Sequence, residues 1–421
     1  MNITITPSAL SGRIKAIASK SQAHRLLICA AFSDKTTSIV CGETSEDINA
    51  TLECLTELGA VIKKTDGGYR VTPLQKGRDG CTLNCGESGS TLRFLLPTAL
   101  ALGVKAEFNM RGNLPKRPLS PLYEEMLAHG CTLSEAGVTP LIAQGKLTSG
   151  GYALPANISS QFISGLLFAL PLLDGDSTIE LIGRIESKSY IDMTCDALSK
   201  FKIDVRLIGN CFYINGNQKY ISPRNLTVEG DWSNSAFWLC AAAVSNNEIA
   251  CTGQDINSKQ GDKAIIEILE QFGAKVVYGE NSVTVSHGKL RGITVDASDI
   301  PDLVPIIAAV AAVSEGQTVI ENAQRLRIKE SDRLRSVTKT LSALGATIKE
   351  TDDGLLIYGR LRLNGGVIDS HNDHRIAMMA AIASIVCSNP VTIKNAEAVN
   401  KSYPGFWKDF KGLGGKAEVN A

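Results

Sequence analysis

Apolar positions along this chain follow two alternating patterns. In the first, runs that are apolar on nearly every side begin near Lys20, Ser90, Ser160, Trp232, Asp302 and His374 (LLICAAF, LRFLLPTALAL, FISGLLFALPLL, FWLCAAAV, LVPIIAAVAAV and IAMMAAIASIV). A helix hydrophobic all round has to be buried, so these runs predict six buried helices of about three turns each. In the second pattern an amphipathic helix, a glycine-containing end, a strand, a tight turn and another strand recur, most clearly at 52–71, 265–285 and 341–358. Gly59, Gly130, Gly273 and Gly345 fall at helix ends, where a left-handed C-cap suits glycine. Two copies are degenerate: 196–214 lacks the glycine, and 407–419 carries Gly412, Gly414 and Gly415. The result is six repeats at a period of about 70 residues. Two lobes of three repeats are predicted, each packing its apolar helices inward. A single six-unit solenoid fits less well, because neither end carries a polar capping repeat.

Length agrees with more than one core: 421 residues exceed what a single hydrophobic core normally supports. With 43 basic and 43 acidic residues the formal net charge is zero, which argues against a nucleic-acid partner but leaves room for a local basic pocket. Residues 1–10 lack a charged segment followed by an apolar core, and the apolar stretch 303–313 is too short to span a bilayer, so a soluble cytoplasmic chain is expected. The eleven cysteines are scattered. Cys81 and Cys85 lie close together, but with no second pair or nearby histidine they do not form a zinc motif. Reduced thiols and no metal site are expected.

The first residues of the buried helices are polar or charged: 19–25 (SKSQAHR), 86–93 (GESGSTLR), 159–161 (SSQ), 231–234 (DWSN), 301–302 (PD) and 372–375 (NDHR). Ser, Asp and Asn are ordinary N-caps there, and Pro301 suits the first helical position. Capping does not explain Lys20, Arg25, Arg93 and Arg375, because the helix dipole disfavours cations in a first turn. A cation there calls for an anion, and helix N-termini bind phosphate and carboxylate through free N–H groups. Small polyanionic ligands are therefore predicted. More cations flank the second helix series at 116–118 (KRP), 325–333 and 401–404 (KSYP), although a run such as 325–333 also reads as a solvated helix start. Asp302 and Glu330 are candidate proton-transfer groups, since neighbouring cations and burial tune a carboxylate.

Nine ordered motifs then carry a resemblance across the whole chain: SKSxxxR at 19–25, GESGSTLR at 86–93, KRP at 116–118, SSQF at 159–162, SKSYID at 187–192, IPD at 300–302, RIKESDRL at 327–334, NDHR at 372–375 and KSYPGF at 401–406. With them the chain resembles the enolpyruvyl transferases, and within these the branch whose acceptor is shikimate 3-phosphate. The resemblance implies a two-lobed inside-out α/β barrel of six βαβαββ repeats, three per lobe. One lobe is expected to hold 1–13 with 229–421 and the other 14–228, with crossings near 12–14 and 228–230 and the active site in the cleft. The implied reaction moves the enolpyruvyl group of phosphoenolpyruvate to the 5-hydroxyl of shikimate 3-phosphate and releases phosphate, without a cofactor. A monomer is expected.

By that resemblance Ser21, Arg25, Ser159, Ser160, Gln161, Ser187, Tyr190, Asp302 and Lys329 contact shikimate 3-phosphate. Lys20, Gly89, Arg117, Arg333, Arg375 and Lys401 contact phosphoenolpyruvate, with Lys20 and Gln161 reaching both. Asp302 is the expected base and Glu330 the expected acid, with Lys20 near the leaving phosphate and His374 orienting Glu330. Two positions depart from the family's pattern: Glu87 stands where many members carry Asn, and Arg325 where Asn is frequent, so no contact is assigned to Arg325. The sister enzymes that use UDP-N-acetylglucosamine typically have Lys-Asn where this chain has Lys20-Ser21, and a cysteine in the stretch that is cysteine-free here at 111–118. A non-catalytic relative that binds an anionic ligand is the other alternative, disfavoured by both carboxylates standing beside the full cation set.

Overall fold

The computed structural model describes residues 1–420. Its α-helices are α1 (Lys20–Ala31), α2 (Glu46–Glu57), α3 (Gly89–Ala101), α4 (Leu122–Ala128), α5 (Ser160–Ala169), α6 (Lys188–Lys200), α7 (Trp232–Val244), α8 (Ile265–Phe272), α9 (Val304–Ala311), α10 (Arg333–Ala343), α11 (His374–Ala383) and α12 (Phe406–Gly412). The odd-numbered helices are the buried series. Every residue from Trp232 to Ala243 in α7 is buried, as is all of α9. The even-numbered helices are amphipathic: α10 buries Leu334, Val337 and Leu341 and exposes Arg335 and Lys339, the spacing expected of a helix lying on a core.

The chain divides into two units, one made of Met1–Ile17 with the chain from Glu229 onward, the other of Ala18–Val228. Among the described residues the strands form six four-stranded sheets, three in each unit. All six follow one order: a parallel pair, then two antiparallel neighbours. In the sheet that begins at Gly151–Pro155, for example, Tyr152 pairs with Ile179 in parallel, and Ile179 pairs with Phe212 in antiparallel register. Strand side chains alternate, with Ile179 and Leu181 inside and Glu180 and Ile182 outside, so the apolar half of each sheet faces its unit's helices. In the first unit α7, α9 and α11 pack on one another inside the sheets.

Three details differ from the sequence expectation. The first boundary falls after Ile17 rather than after residue 13, because Gly12–Lys15 is a strand of the first unit, paired in parallel with Glu248–Thr252. The sixth repeat does not turn back after its strand Lys416–Asn420; its antiparallel partner is the N-terminal strand Asn2–Thr6, with Ile3 opposite Val419. Pro301 lies in the turn before α9, whose first turn holds Pro305 instead.

Close helix packing sets the spacing of the entrances in the 18–228 unit. Gly165 of α5 faces α3, and a Cβ there would collide with the backbone oxygen of Arg93. That approach brings Ser159–Gln161 beside the start of α3.

Candidate active site

In the unit Ala18–Val228 the starts of α1, α3 and α5 are capped by serines: Ser19 Oγ accepts from Gln22 N, Ser88 Oγ from Thr91 N and Ser159 Oγ from Gln161 N. Around these caps the polar side chains interlock. Lys20 Nζ lies 2.7 Å from Asp47 Oδ2 in the first turn of α2. Arg93 Nη1 donates to Gln161 Oε1 at 2.8 Å, and Arg93 Nη2 to the carbonyl of Pro118 at 2.8 Å. Gln161 Nε2 completes the tie by donating to Ser90 Oγ at 2.9 Å. Arg93 thus joins the Gly-rich loop, α5 and the 116–118 segment, and its guanidinium also stacks on Phe162, 5.5 Å from the ring centre. Its charge at a helix start, read from the sequence as asking for an anion, meets among its partners a side-chain amide oxygen, a carbonyl and an aromatic face of the protein.

Arg25 is buried 2% exposed on α1 and binds α6. Its Nε donates to Thr194 Oγ1 at 2.8 Å and its Nη2 to the Tyr190 carbonyl at 2.9 Å, while Nη1 donates to the Ser21 carbonyl at 2.7 Å. Burial lowers its pKa to about 10 despite the Tyr190 and cysteine neighbours. Ser21, Arg25, Thr194 and Tyr190 are therefore one connected set. Ser187, at the start of α6, is buried in the left-handed region with φ +53°. A serine held there costs about 1–2 kcal/mol relative to its relaxed backbone, the kind of strain that concentrates at binding sites.

The unit containing Met1–Ile17 and the chain from Glu229 holds the second set. Arg333, the first residue of α10, is 1% exposed and bridges three carboxylates: Nη1 to Asp302 Oδ1 at 2.8 Å, Nη2 to Glu330 Oε2 at 2.6 Å and Nε to Asp373 Oδ2 at 2.8 Å. Arg375, in the first turn of α11, places Nη2 2.8 Å from the other oxygen of Asp302. Burial alone would raise the Asp302 pKa, but Arg375, Arg333 and Lys329 outweigh it and hold the group far below the usual carboxylate range. The Lys329 pKa also falls, which here disfavours the charged form: burial, with Arg325 and Arg333, brings it down to about 8 against the pull of Asp302. The charge run 325–333 thus splits. Arg327 forms ion pairs with Asp332 and Glu350, as a helix start would, whereas Lys329, Glu330 and Arg333 belong to the buried cluster. Lys401 Nζ donates to the Asn372 carbonyl at 2.7 Å, fixing the 372–375 turn, and His374 is buried beside Asp373.

The structure therefore gathers the expected residues into two clusters, with Lys20, Ser21, Arg25, Gly89, Arg117, Ser159, Ser160, Gln161, Ser187 and Tyr190 in one unit and Asp302, Lys329, Glu330, Arg333, His374, Arg375 and Lys401 in the other. Several participants escaped the sequence reading. Asp47 is an acidic residue in a first helical turn, indistinguishable there from a dipole partner. Asp373 was visible as an N-cap, and it does accept from Arg375 N at 2.9 Å, but its second role as the fully buried counter-ion of Arg333 was not. Asp262 is 2% exposed, accepts a hydrogen bond from Ser233 Oγ, and has its pKa raised to about 7 by burial and by Asp302, against the pull of Arg375. Nothing in its local pattern marks it.

Among the described residues no group of His, Cys, Asp and Glu side chains is arranged to hold a metal ion, no helix is long and apolar enough to cross a membrane, and the eleven cysteines are free. What the two clusters present is a concentration of guanidinium and ammonium groups, helix N-termini and two partly exposed carboxylates. That is the equipment for holding small anions while moving a proton.

Comparison with known proteins agrees with these features. The family model for EPSP synthase (3-phosphoshikimate 1-carboxyvinyltransferase) matches residues 5–410. The 3-phosphoshikimate 1-carboxyvinyltransferase of Clostridium perfringens (strain ATCC 13124) is 47% identical over 418 residues, covering 98% of both chains. That of Clostridium kluyveri is 44% identical over 425 residues, covering 99% of this chain and 98% of its own. A solved EPSP synthase from Acinetobacter baumannii superposes with a TM-score of 0.84 at 27% identity, covering 100% of each chain. Six repeated sheets around buried helices, cations at the starts of those helices and similarity along the full length place the chain in the EPSP synthase (3-phosphoshikimate 1-carboxyvinyltransferase) family.

Proposed function

We infer that the chain transfers the enolpyruvyl group of phosphoenolpyruvate to the 5-hydroxyl of shikimate 3-phosphate, and that both clusters serve this one reaction. The observation that carries the reading is the bridging of Asp302 by Arg333 and Arg375, with Glu330 on the same Arg333. Two cations that bind an anionic substrate are here occupied by the two carboxylates proposed to move protons.

Phosphoenolpyruvate brings a carboxylate of its own, which competes with Asp302 and Glu330 for the guanidinium groups of Arg333 and Arg375. As the substrate takes over those contacts, both protein carboxylates gain proton affinity, because the cations that depressed it are now shared. Binding of the substrate thereby prepares the acid and the base.

The chemistry balances without further reagents. The acceptor hydroxyl attacks C2 of the enol and gives its proton to Asp302. C3 takes a proton from Glu330 and becomes a methyl group. In the tetrahedral intermediate the bond from C2 to the phosphate oxygen then breaks and phosphate leaves toward Lys20. The proton held on Asp302 passes to it, so that it departs as hydrogen phosphate, and the methyl group returns a proton to Glu330. Lys20, Arg117 and the free N–H groups at the start of α3 stabilise phosphate charge, Arg375 and Lys401 assist on phosphoenolpyruvate, and Lys329 neutralises charge near Asp302. Ser159, Ser160, Gln161, Ser187, Tyr190, Ser21 and Arg25 hold shikimate 3-phosphate. His374, buried beside Asp373, is assigned the role of orienting Glu330.

The reading includes a cytoplasmic location, in keeping with eleven free thiols, and a monomer. Asp302→Asn and Glu330→Gln variants test the assignment of roles, with phosphate release followed by phosphorus NMR. Each is expected to lower kcat by at least about a hundredfold. Near-normal turnover in either variant removes that residue from its role.

A further inference from the structure

His24 is 1% exposed on α1, and none of the roles above uses it. Its Nδ1 lies 2.8 Å from Thr51 Oγ1 on α2, and Thr51 Oγ1 lies 2.7 Å from Thr91 Oγ1 on α3. Thr91 Oγ1 in turn lies 2.8 Å from Ser88 Oγ, the N-cap of α3. A longer contact, 3.5 Å, runs from Thr91 Oγ1 to the carbonyl of Asp47, the residue whose side chain holds Lys20. Four buried side chains on three helices thus form one hydrogen-bonded relay that ends on the Gly-rich loop.

The direction of the relay follows from counting hydrogens. Each hydroxyl has one to donate, so the ring at the head decides which way all of them point. His24 Nε2 is buried and has no hydrogen-bond partner among the described residues. A proton on Nε2 would strand an N–H donor, which folded proteins avoid more strictly than a bare acceptor. A proton on Nδ1 is donated to Thr51, which leaves Thr51 to donate to Thr91 and Thr91 to Ser88. Ser88 then accepts from both the hydroxyl and the backbone N–H of Thr91. The ring itself stays neutral, since burial first, then Lys20 and Arg25, hold its pKa well below 6.5.

We propose that His24 is a positioning residue: as an Nδ1–H donor at the head of this relay it holds the α3 cap and the loop Gly86–Gly89 in register with the Lys20–Asp47 pair. The proposal rests on the reading that this loop and Lys20 bind phosphoenolpyruvate. It predicts that breaking the relay harms that substrate and spares the acceptor.

Two measurements on the intact chain decide it. Spectra of protein labelled with nitrogen-15 histidine, with the His24 signals assigned by their loss in His24→Asn, are expected to show the Nδ1–H tautomer; the Nε2–H tautomer overturns the relay. In kinetics, Thr51→Val removes the central hydroxyl and His24→Leu removes the head donor. Each is expected to raise KM for phosphoenolpyruvate about tenfold, with kcat and KM for shikimate 3-phosphate within about twofold of wild type. His24→Asn, which keeps an N–H near the Nδ1 position, recovers most of the loss. An unchanged KM for phosphoenolpyruvate in folded Thr51→Val, or an equal rise for both substrates, overturns the proposal. Wild-type protein inactive on this substrate pair would instead fault the functional reading, and the tautomer would still decide the relay.

Discussion

Arg117 packs so closely against Gly89 that a Cβ built on the glycine would stand 2.8 Å from Arg117 Nη1, and 2.6 Å from Arg93 Nη1. Arg93 Nη1 is held in place by Gln161, so the Arg117 end is the one that swings aside. Gly89→Ala is therefore expected to displace Arg117 from its place at the loop while leaving the melting temperature nearly unchanged. KM for phosphoenolpyruvate should rise by about tenfold or more, the loss of one charge-assisted contact, and KM for shikimate 3-phosphate should move little. A wild-type KM for phosphoenolpyruvate would show that the arginine tolerates the methyl group.

Arg333→Ala removes the one guanidinium that binds Asp302, Glu330 and Asp373 together. Asp373 is 0% exposed, so its charge would remain buried with its ion pair gone. Breaking a buried pair in this way costs about 3–5 kcal/mol, readable as a lower urea midpoint for the unit that contains α10. Arg333→Lys should recover only part of it, because an ammonium cannot reach three carboxylates in a planar fork. Equal stability of wild type and Arg333→Ala would mean that the cluster contributes nothing to folding.

Ser187 offers a test in which stability and binding move in opposite directions. Its left-handed backbone, φ +53°, favours glycine, so Ser187→Gly should stabilise the chain by up to about 1 kcal/mol. The same change removes the hydroxyl expected on the substrate phosphate, and KM for shikimate 3-phosphate should rise. Thermal melting and steady-state kinetics on one preparation check both. A destabilised variant would show that the serine side chain, rather than the strained backbone, dominates the local balance.

The pH dependence of stability isolates Asp262. Its pKa is raised from 3.8 to about 7 by burial and by Asp302, so between those values the folded chain binds more protons than the unfolded one. Stability from this group is therefore present at low pH and is lost as pH rises through about 7. The slope is at most about 1.4 kcal/mol per pH unit for one proton. Asp262→Asn removes that slope and should gain on wild type in melting temperature as pH rises from 3.8 to about 7. Asp302, held far below its usual range, has the opposite sign and is lost only in strong acid, outside this window. Parallel curves for wild type and variant would contradict the assignment.

The fold was legible wherever burial leaves a local signature. Runs such as FWLCAAAV and LVPIIAAVAAV have no polar side to expose, and α7 is buried from Trp232 to Ala243 and α9 throughout. The sixth sheet was not legible, because Asn2–Thr6 pairs with Lys416–Asn420 and no local pattern encodes a partner at the far end of a chain. Cations at helix starts were legible as a class, without any sign of their separate partners. Arg93 and Arg375 look alike in sequence, yet Arg93 is bound by an amide oxygen and a carbonyl, and Arg375 by the carboxylate of Asp302. Asp262 and the His24 relay depend on contacts between helices far apart in sequence, which periodicity cannot show.

The most direct test of enolpyruvyl transfer is phosphate release from phosphoenolpyruvate by the wild-type chain, measured with shikimate 3-phosphate, with UDP-N-acetylglucosamine and with no acceptor. Release is predicted with shikimate 3-phosphate alone, one phosphate for each acceptor consumed. Release that needs UDP-N-acetylglucosamine instead, or none with either acceptor, would contradict the account.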